Sequence, residues 1–181
     1  MRTVSELVKE KTVSEYYLLA VKMACVAHAV KNYGGQPYYV HLEDVENILR
    51  EYGFGENEIL MICAWLHDTM EDAGFTYNDI KKVFGKQIAD IIYLVTDFKG
   101  HNRDERKPDQ LYLEMRLNVL AIILKVADRI ANARRSVGSG HSMGEKYKAE
   151  YGHFREMLYN EDHRMLAPMW NELDGLMGYG Y

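Results

Sequence analysis

Apolar residues recur along most of the chain with the three-to-four-residue spacing of a helix. Leu19, Met23, Val26 and Val30 fall at i, i+4, i+7 and i+11 and predict a first buried stripe, ended by the turn Gly34-Gly35-Gln36-Pro37. A short helix is expected over about 43–52, stopping at Gly53. Ile59, Leu60, Ile62, Cys63 and Leu66 predict another, ending near Gly74. Thr76 is placed to N-cap a helix reaching Phe84 and stopped by Gly85. Ile88, Ile91, Ile92 and Val95 carry the next one. Leu113, Leu117, Leu120, Leu124, Ala127 and Ala131 trace one long helix, the expected hydrophobic spine. Beyond the Gly-rich loop Gly138–Gly144, amphipathic helices are expected over about 144–159 and 165–177, with a frayed tail from Gly178 to Tyr181. No stretch alternates with period two. The expected fold class is therefore all-α, a single-domain helical bundle over 1–181 with its core over about 16–175.

Composition narrows the function classes. A chain of 181 residues, 48% hydrophobic and 27% charged, is one ordinary globular domain's worth of sequence. No run approaches the length of a membrane helix. Met1-Arg2-Thr3-Val4-Ser5-Glu6 lacks the apolar core of a secretory signal, so a cytoplasmic protein is expected. The net charge of −5 argues against a dedicated nucleic-acid binder. Cys25 and Cys63, each among apolar neighbours, are expected as reduced core thiols.

The candidate chemistry lies in a few ionisable residues on apolar faces. Of the seven histidines, His101, His141, His153 and His163 lie in polar contexts and are expected at the surface, while His28 reads as a packing residue. His67-Asp68 directly follows the buried Ala64-Trp65-Leu66, and Glu71 and Asp72 follow one helical turn later. Buried carboxylates are costly unless paired or metal-bound. Asp128 is four residues after Leu124 and eleven after Leu117, on or beside the buried face of the spine. Lys125 and Arg129 flank it but are expected to point elsewhere, while Asn132 faces the same way one turn on. His41 offers a second imidazole. Two histidines and two carboxylates suit a borderline divalent ion such as Mn²⁺, Fe²⁺, Co²⁺ or Zn²⁺. Glu71 and Asp72 would stand beside it as acid or base.

This set resembles the H…HD…D signature of the HD-domain phosphohydrolases. More narrowly, the chain resembles the hydrolase domain of Rel/Spo homologues and the stand-alone small alarmone hydrolases. The pieces that carry the resemblance are Gly35-Gln36-Pro37-Tyr38-Tyr39-Val40-His41, Leu66-His67-Asp68-Thr69-Met70-Glu71-Asp72, Phe84-Gly85, Val95-Thr96-Asp97 and Lys125-Val126-Ala127-Asp128-Arg129-Ile130-Ala131-Asn132. The resemblance implies one metal, usually Mn²⁺, held by His41, His67, Asp68 and Asp128. It implies Glu71 and Asp72 as the catalytic acidic pair and Asn132 as a residue lining the nucleotide sugar. It implies removal of the 3′-pyrophosphate from guanosine 3′,5′-bis-pyrophosphate (ppGpp) and its pentaphosphate relative. Arg103, in a basic loop with Lys99, Arg106 and Lys107, resembles a phosphate-contacting position, and Lys148 and Tyr151 resemble a pair that reaches the distal phosphates.

Two departures bear on specificity. Leu42 stands where the family often has Pro. Val30-Lys31-Asn32-Tyr33 replaces the segment whose arginine stacks on guanine, leaving Lys31 or Tyr33 as substitutes. The alternatives are an HD nucleotidase or triphosphohydrolase acting on ordinary (deoxy)nucleotides, and an antitoxin-like module that binds nucleotides or tRNA 3′ ends.

Overall fold

Local signals in the chain set most of the element boundaries. The structure, a computed structural model, describes residues 14–96, 109–137 and 142–180. Arg103, the other basic residues of its loop, His101 and His141 lie outside them. Ser14 caps helix α1 (Glu15–Ala27) by accepting from Tyr16 N–H. A hairpin follows, β1 (Asn32–Tyr33) and β2 (Gln36–Pro37), antiparallel with Tyr33 opposite Gln36. Its turn residues Gly34 and Gly35 both have positive φ (57° and 83°), the conformation that tight hairpins demand and glycine supplies. Helices α2 (Tyr39–Glu51), α3 (Glu58–Leu66) and α4 (Thr69–Asp72) come next. Helix α5 (Tyr77–Phe84) opens with the expected cap at Thr76, reciprocated by Asp79, and stops at Gly85; α6 (Lys86–Val95) continues from there.

The all-α expectation holds: among the described residues the two-residue strands are the sole sheet. The spine differs from its expectation. It is two helices, α7 (Asp109–Met115) and α8 (Val119–Ser136). Asn118 breaks the run because its side chain accepts from Leu120 N–H and Ala121 N–H and starts α8 afresh. Leu113 and Leu117 consequently face solvent, Leu117 at 89% exposure, while Leu124, Ala127 and Ala131 are buried.

The first stripe is also placed differently. Helix α1 buries Ala20 and Ala24, with Tyr17, Val21, Met23 and Cys25 partly buried. Leu19 and Val26 are exposed, and Val30, beyond the helix end, is 97% exposed. The chain ends with α9 (Ser142–Leu158), a 3₁₀ turn (Arg164–Leu166) and α10 (Ala167–Met177). Gly144 is required where α9 begins, because a Cβ there would lie 2.6 Å from Ser136 O.

Helix α8 is the centre of the packing and touches α2, α3, α6, α7, α9 and α10. Helix α1 lies on α3, and α3 on α2. No described helix is long and apolar enough to cross a membrane. Both cysteines are free, Cys63 buried and Cys25 half-buried.

Candidate metal centre

Three separate parts of the fold meet around α8. His41 lies in the first turn of α2, just beyond the hairpin, and is buried. His67 and Asp68 form the link between α3 and α4, where the backbone stays right-handed at both residues. Thr69 Oγ1 donates to Leu66 O at 2.6 Å, which occupies the carbonyl at the end of α3. Asp128 comes from the middle of α8.

The imidazole and carboxylate atoms of these side chains are close. His41 Nε2 is 3.5 Å from Asp68 Oδ2 and 3.3 Å from Asp128 Oδ1. His67 Nε2 is 3.1 Å from Asp68 Oδ2 and 3.8 Å from Asp128 Oδ1. One ligand atom each from His41, His67 and Asp128 fits within 4.8 Å of the others. His67 Nδ1 contacts Ala64 O at 2.9 Å, so the ring donates there and turns Nε2 into the cluster. That Nε2 is buried and makes no well-formed hydrogen bond among the described residues. A buried imidazole nitrogen with no hydrogen bond, facing two carboxylates, fits a divalent cation.

The electrostatics agree with that fit. Burial alone would favour a neutral His41, but hydrogen bonds and charge from Asp128 and Asp68 prevail and raise it to about 10. His67 is raised too, against its burial, by Asp68 and Asp128. Burial works against charge on both carboxylates. The two histidines nevertheless hold Asp68 well below the usual range, and His41, Lys125 and His67 do so for Asp128. The pocket thus favours positive charge among its carboxylates, which protons or a cation can supply.

Residues around the cluster hold it in place. The Tyr38 hydroxyl donates to Asp68 Oδ2 at 2.6 Å. The Tyr38 ring is stacked on His28 with centroids 4.7 Å apart, and Lys31 Nζ lies 4.2 Å from the Tyr38 ring centroid. His28 is buried as expected, with Nδ1 at 3.0 Å from Ala24 O, although its Nε2 has no hydrogen-bond partner among the described residues. Asn132 Nδ2 donates to Asp128 Oδ1 at 2.6 Å.

Lys125 corrects an expectation: its Nζ lies 3.8 Å from Asp128 Oδ2 and donates to Val95 O at 2.8 Å. The long stem of lysine lets a residue three positions earlier on the helix reach the carboxylate. Arg129 does point elsewhere, between Tyr147 and Phe154, with Glu150 3.6 Å away.

The other expected site residues divide. Glu71 and Asp72 lie on α4, directly after the His67-Asp68 link, and Lys31 forms an ion pair with Asp72. Tyr151 is buried and its hydroxyl donates to Asp174 Oδ1 on α10 at 2.7 Å, so in this structure it joins α9 to α10. Lys148 is near the surface, 3.4 Å from Glu145. Tyr33, Tyr38 and Lys125 are the site residues whose contacts sequence reasoning missed. A signal existed for two of them: Tyr38 is three residues before His41, and Lys125 three before Asp128.

Comparison with known proteins places this geometry. Residues 20–152 match the HD domain family. The chain is 32% identical over 98 residues to guanosine-3′,5′-bis(diphosphate) 3′-pyrophosphohydrolase MESH1 of Drosophila melanogaster, covering 54% of this chain and 55% of that one. It is 34% identical over 106 residues to the bifunctional (p)ppGpp synthase/hydrolase SpoT of Escherichia coli K12, covering 55% of this chain and 15% of SpoT. The match therefore spans about half of MESH1 and a small part of SpoT. Among solved structures, a metazoan orthologue of SpoT described as hydrolysing ppGpp superposes with a TM-score of 0.74 at 22% identity, covering 92% of this chain and 97% of that one. A protein from Listeria monocytogenes EGD-e gives 0.61 at 29% identity, covering 80% and 98%.

Proposed function

The chain belongs to the HD-domain family, and from that premise we propose that it is a metal-dependent phosphohydrolase that removes the 3′-pyrophosphate of ppGpp-type alarmones. An HD domain implies a divalent metal ion. We assign its ligands as His41, His67, Asp68 and Asp128, and the ion as Mn²⁺, with Fe²⁺, Co²⁺ and Zn²⁺ as the other ions this donor set accepts. The observation that carries the reading is the convergence of side chains from α2, the α3–α4 link and α8, with each imidazole Nε2 3.1–3.8 Å from a carboxylate oxygen of both Asp68 and Asp128. The substrate class is supported by the names of the relatives, MESH1 and SpoT, each aligned over about half of this chain.

In this reading the reaction is ppGpp plus water giving GDP plus pyrophosphate. When bound, a divalent ion makes water a stronger nucleophile and polarises a phosphoryl oxygen. The chain's own residues supply the remainder. Glu71 and Asp72 orient the attacking water and take its proton. Lys31, paired with Asp72, offers a cation to the substrate phosphates. Tyr38 holds the carboxylate of Asp68 in place. Asn132, Arg103 and Lys148 are the further substrate contacts of the proposal. Tyr151 requires its bond to Asp174 to break before it can join them.

The test is a product assay. Purified protein with Mn²⁺ is given ppGpp, ppApp, dNTPs and dNMPs, and the leaving group is identified. The proposal expects pyrophosphate from the 3′ position of ppGpp. Inorganic phosphate from dNMPs would replace it with the nucleotidase reading. Tight nucleotide binding with no turnover would favour the antitoxin-like module.

A further inference from the structure

The side-chain amide of Asn132 is engaged on both sides. Its Nδ2 donates to Asp128 Oδ1 at 2.6 Å and to Asp128 O at 3.0 Å, and its Oδ1 accepts from the Tyr33 hydroxyl at 2.6 Å. Asp128 Oδ1 is the same oxygen that faces His41 Nε2 at 3.3 Å and His67 Nε2 at 3.8 Å. An amide has a donor side and an acceptor side, and half a turn about its last bond exchanges them. A hydroxyl that donates to Oδ1 therefore fixes the NH₂ group toward Asp128. In the reversed orientation the amide oxygen would face the carboxylate.

Tyr33 is itself held in place. Its ring packs on His41 with centroids 4.7 Å apart and an interplanar angle of 39°. The Arg135 guanidinium covers it at 5.1 Å from the centroid. Arg135 donates to Asp44 Oδ2 on α2 at 2.6 Å and to Gln36 Oε1 in the hairpin at 3.1 Å, which ties the hairpin to α8 and α2.

We propose that Tyr33 is a positioning residue of the metal centre: its hydroxyl sets the amide of Asn132, and Asn132 aims Asp128 Oδ1 at the ion. This rests on the metal-dependent reading above. It gives Tyr33 and Asn132 a task that needs no substrate, whereas the sequence suggested them for the base and the sugar. The hairpin thereby becomes part of the metal site, although it supplies no ligand.

The experiment measures Mn²⁺ dissociation constants of the full chain by titration with electron paramagnetic resonance detection. The proteins are the parent, Tyr33→Phe, Asn132→Ala and the double variant, with thermal melting of each as a check of folding. Tyr33→Phe keeps the ring on His41 and removes only the hydroxyl. It should weaken Mn²⁺ about 3- to 10-fold, the scale of one hydrogen bond outside the ligand set. Asn132→Ala should weaken it about 10-fold or more. The double variant should be no weaker than Asn132→Ala alone, because the hydroxyl acts through the amide. Parent-like affinity in Tyr33→Phe, or costs that multiply in the double variant, would overturn the inference while leaving the metal reading intact. Absence of Mn²⁺ binding by the parent would overturn both.

Discussion

At the scale of single residues, the centre is a balance of charge in a place that burial makes expensive. Each of the two imidazoles lies 3.1–3.8 Å from a carboxylate oxygen of both Asp68 and Asp128. Removing one partner of such a buried group leaves uncompensated charge and costs several kcal/mol, roughly 3–5. The proposed ligands and the proposed acidic pair should therefore respond differently to neutral substitution. Asp68→Asn should abolish Mn²⁺ binding, measured by titration. Glu71→Gln should retain the metal and lose turnover by about 10² or more. Full activity with metal retained in Asp68→Asn would remove it from the ligand set, and unchanged turnover in Glu71→Gln would remove Glu71 from the chemistry. The position of Asp128 on a buried face was readable from its spacing to Leu124 and Leu117. The reach of Lys125 was not, since a flexible four-carbon stem loosens the link between helix position and charge position. Nor were the hydroxyls of Tyr33 and Tyr38. Their partners are 99 and 30 residues away, beyond the reach of any local pattern.

At the scale of elements, caps decided what periodicity could not. The apolar repeat from Leu113 to Ala131 is compatible with one helix, yet Asn118 ends it and starts α8. Side-chain oxygens near a helix start satisfy N–H groups that otherwise have no partner. Asn118→Ala should therefore cost about 1 kcal/mol of stability, read by urea unfolding. An unchanged unfolding midpoint would mean that the break has another cause. Helix α1 teaches the complementary lesson. Its packing face runs through the small residues Ala20 and Ala24, which let it lie on α3, and the larger Leu19 and Val26 are left in solvent. Hydrophobicity by itself favours the larger side chains, so the spacing pointed to the wrong face. Thr76 and Gly85 were legible because each acts within a few residues of itself.

At the scale of the whole molecule, α8 is both the core and the scaffold of the site. It packs on α2, which carries His41, and on α3, which leads into His67-Asp68. Asp128 and Asn132 lie on it one turn apart. The fold thus brings together three segments far apart in sequence without placing a proposed ligand on a long loop, which favours precise geometry. The order of the motifs was visible in the sequence. The hairpin that leans on the site was not, because two-residue strands are too short for an alternating pattern. The most direct measurement is a crystal structure of the Mn²⁺-loaded protein with anomalous diffraction at the manganese edge. The account predicts one strong peak about 2.0–2.3 Å from His41 Nε2, His67 Nε2 and a carboxylate oxygen of each of Asp68 and Asp128. A peak elsewhere, or one that omits His41 or Asp128, would contradict it.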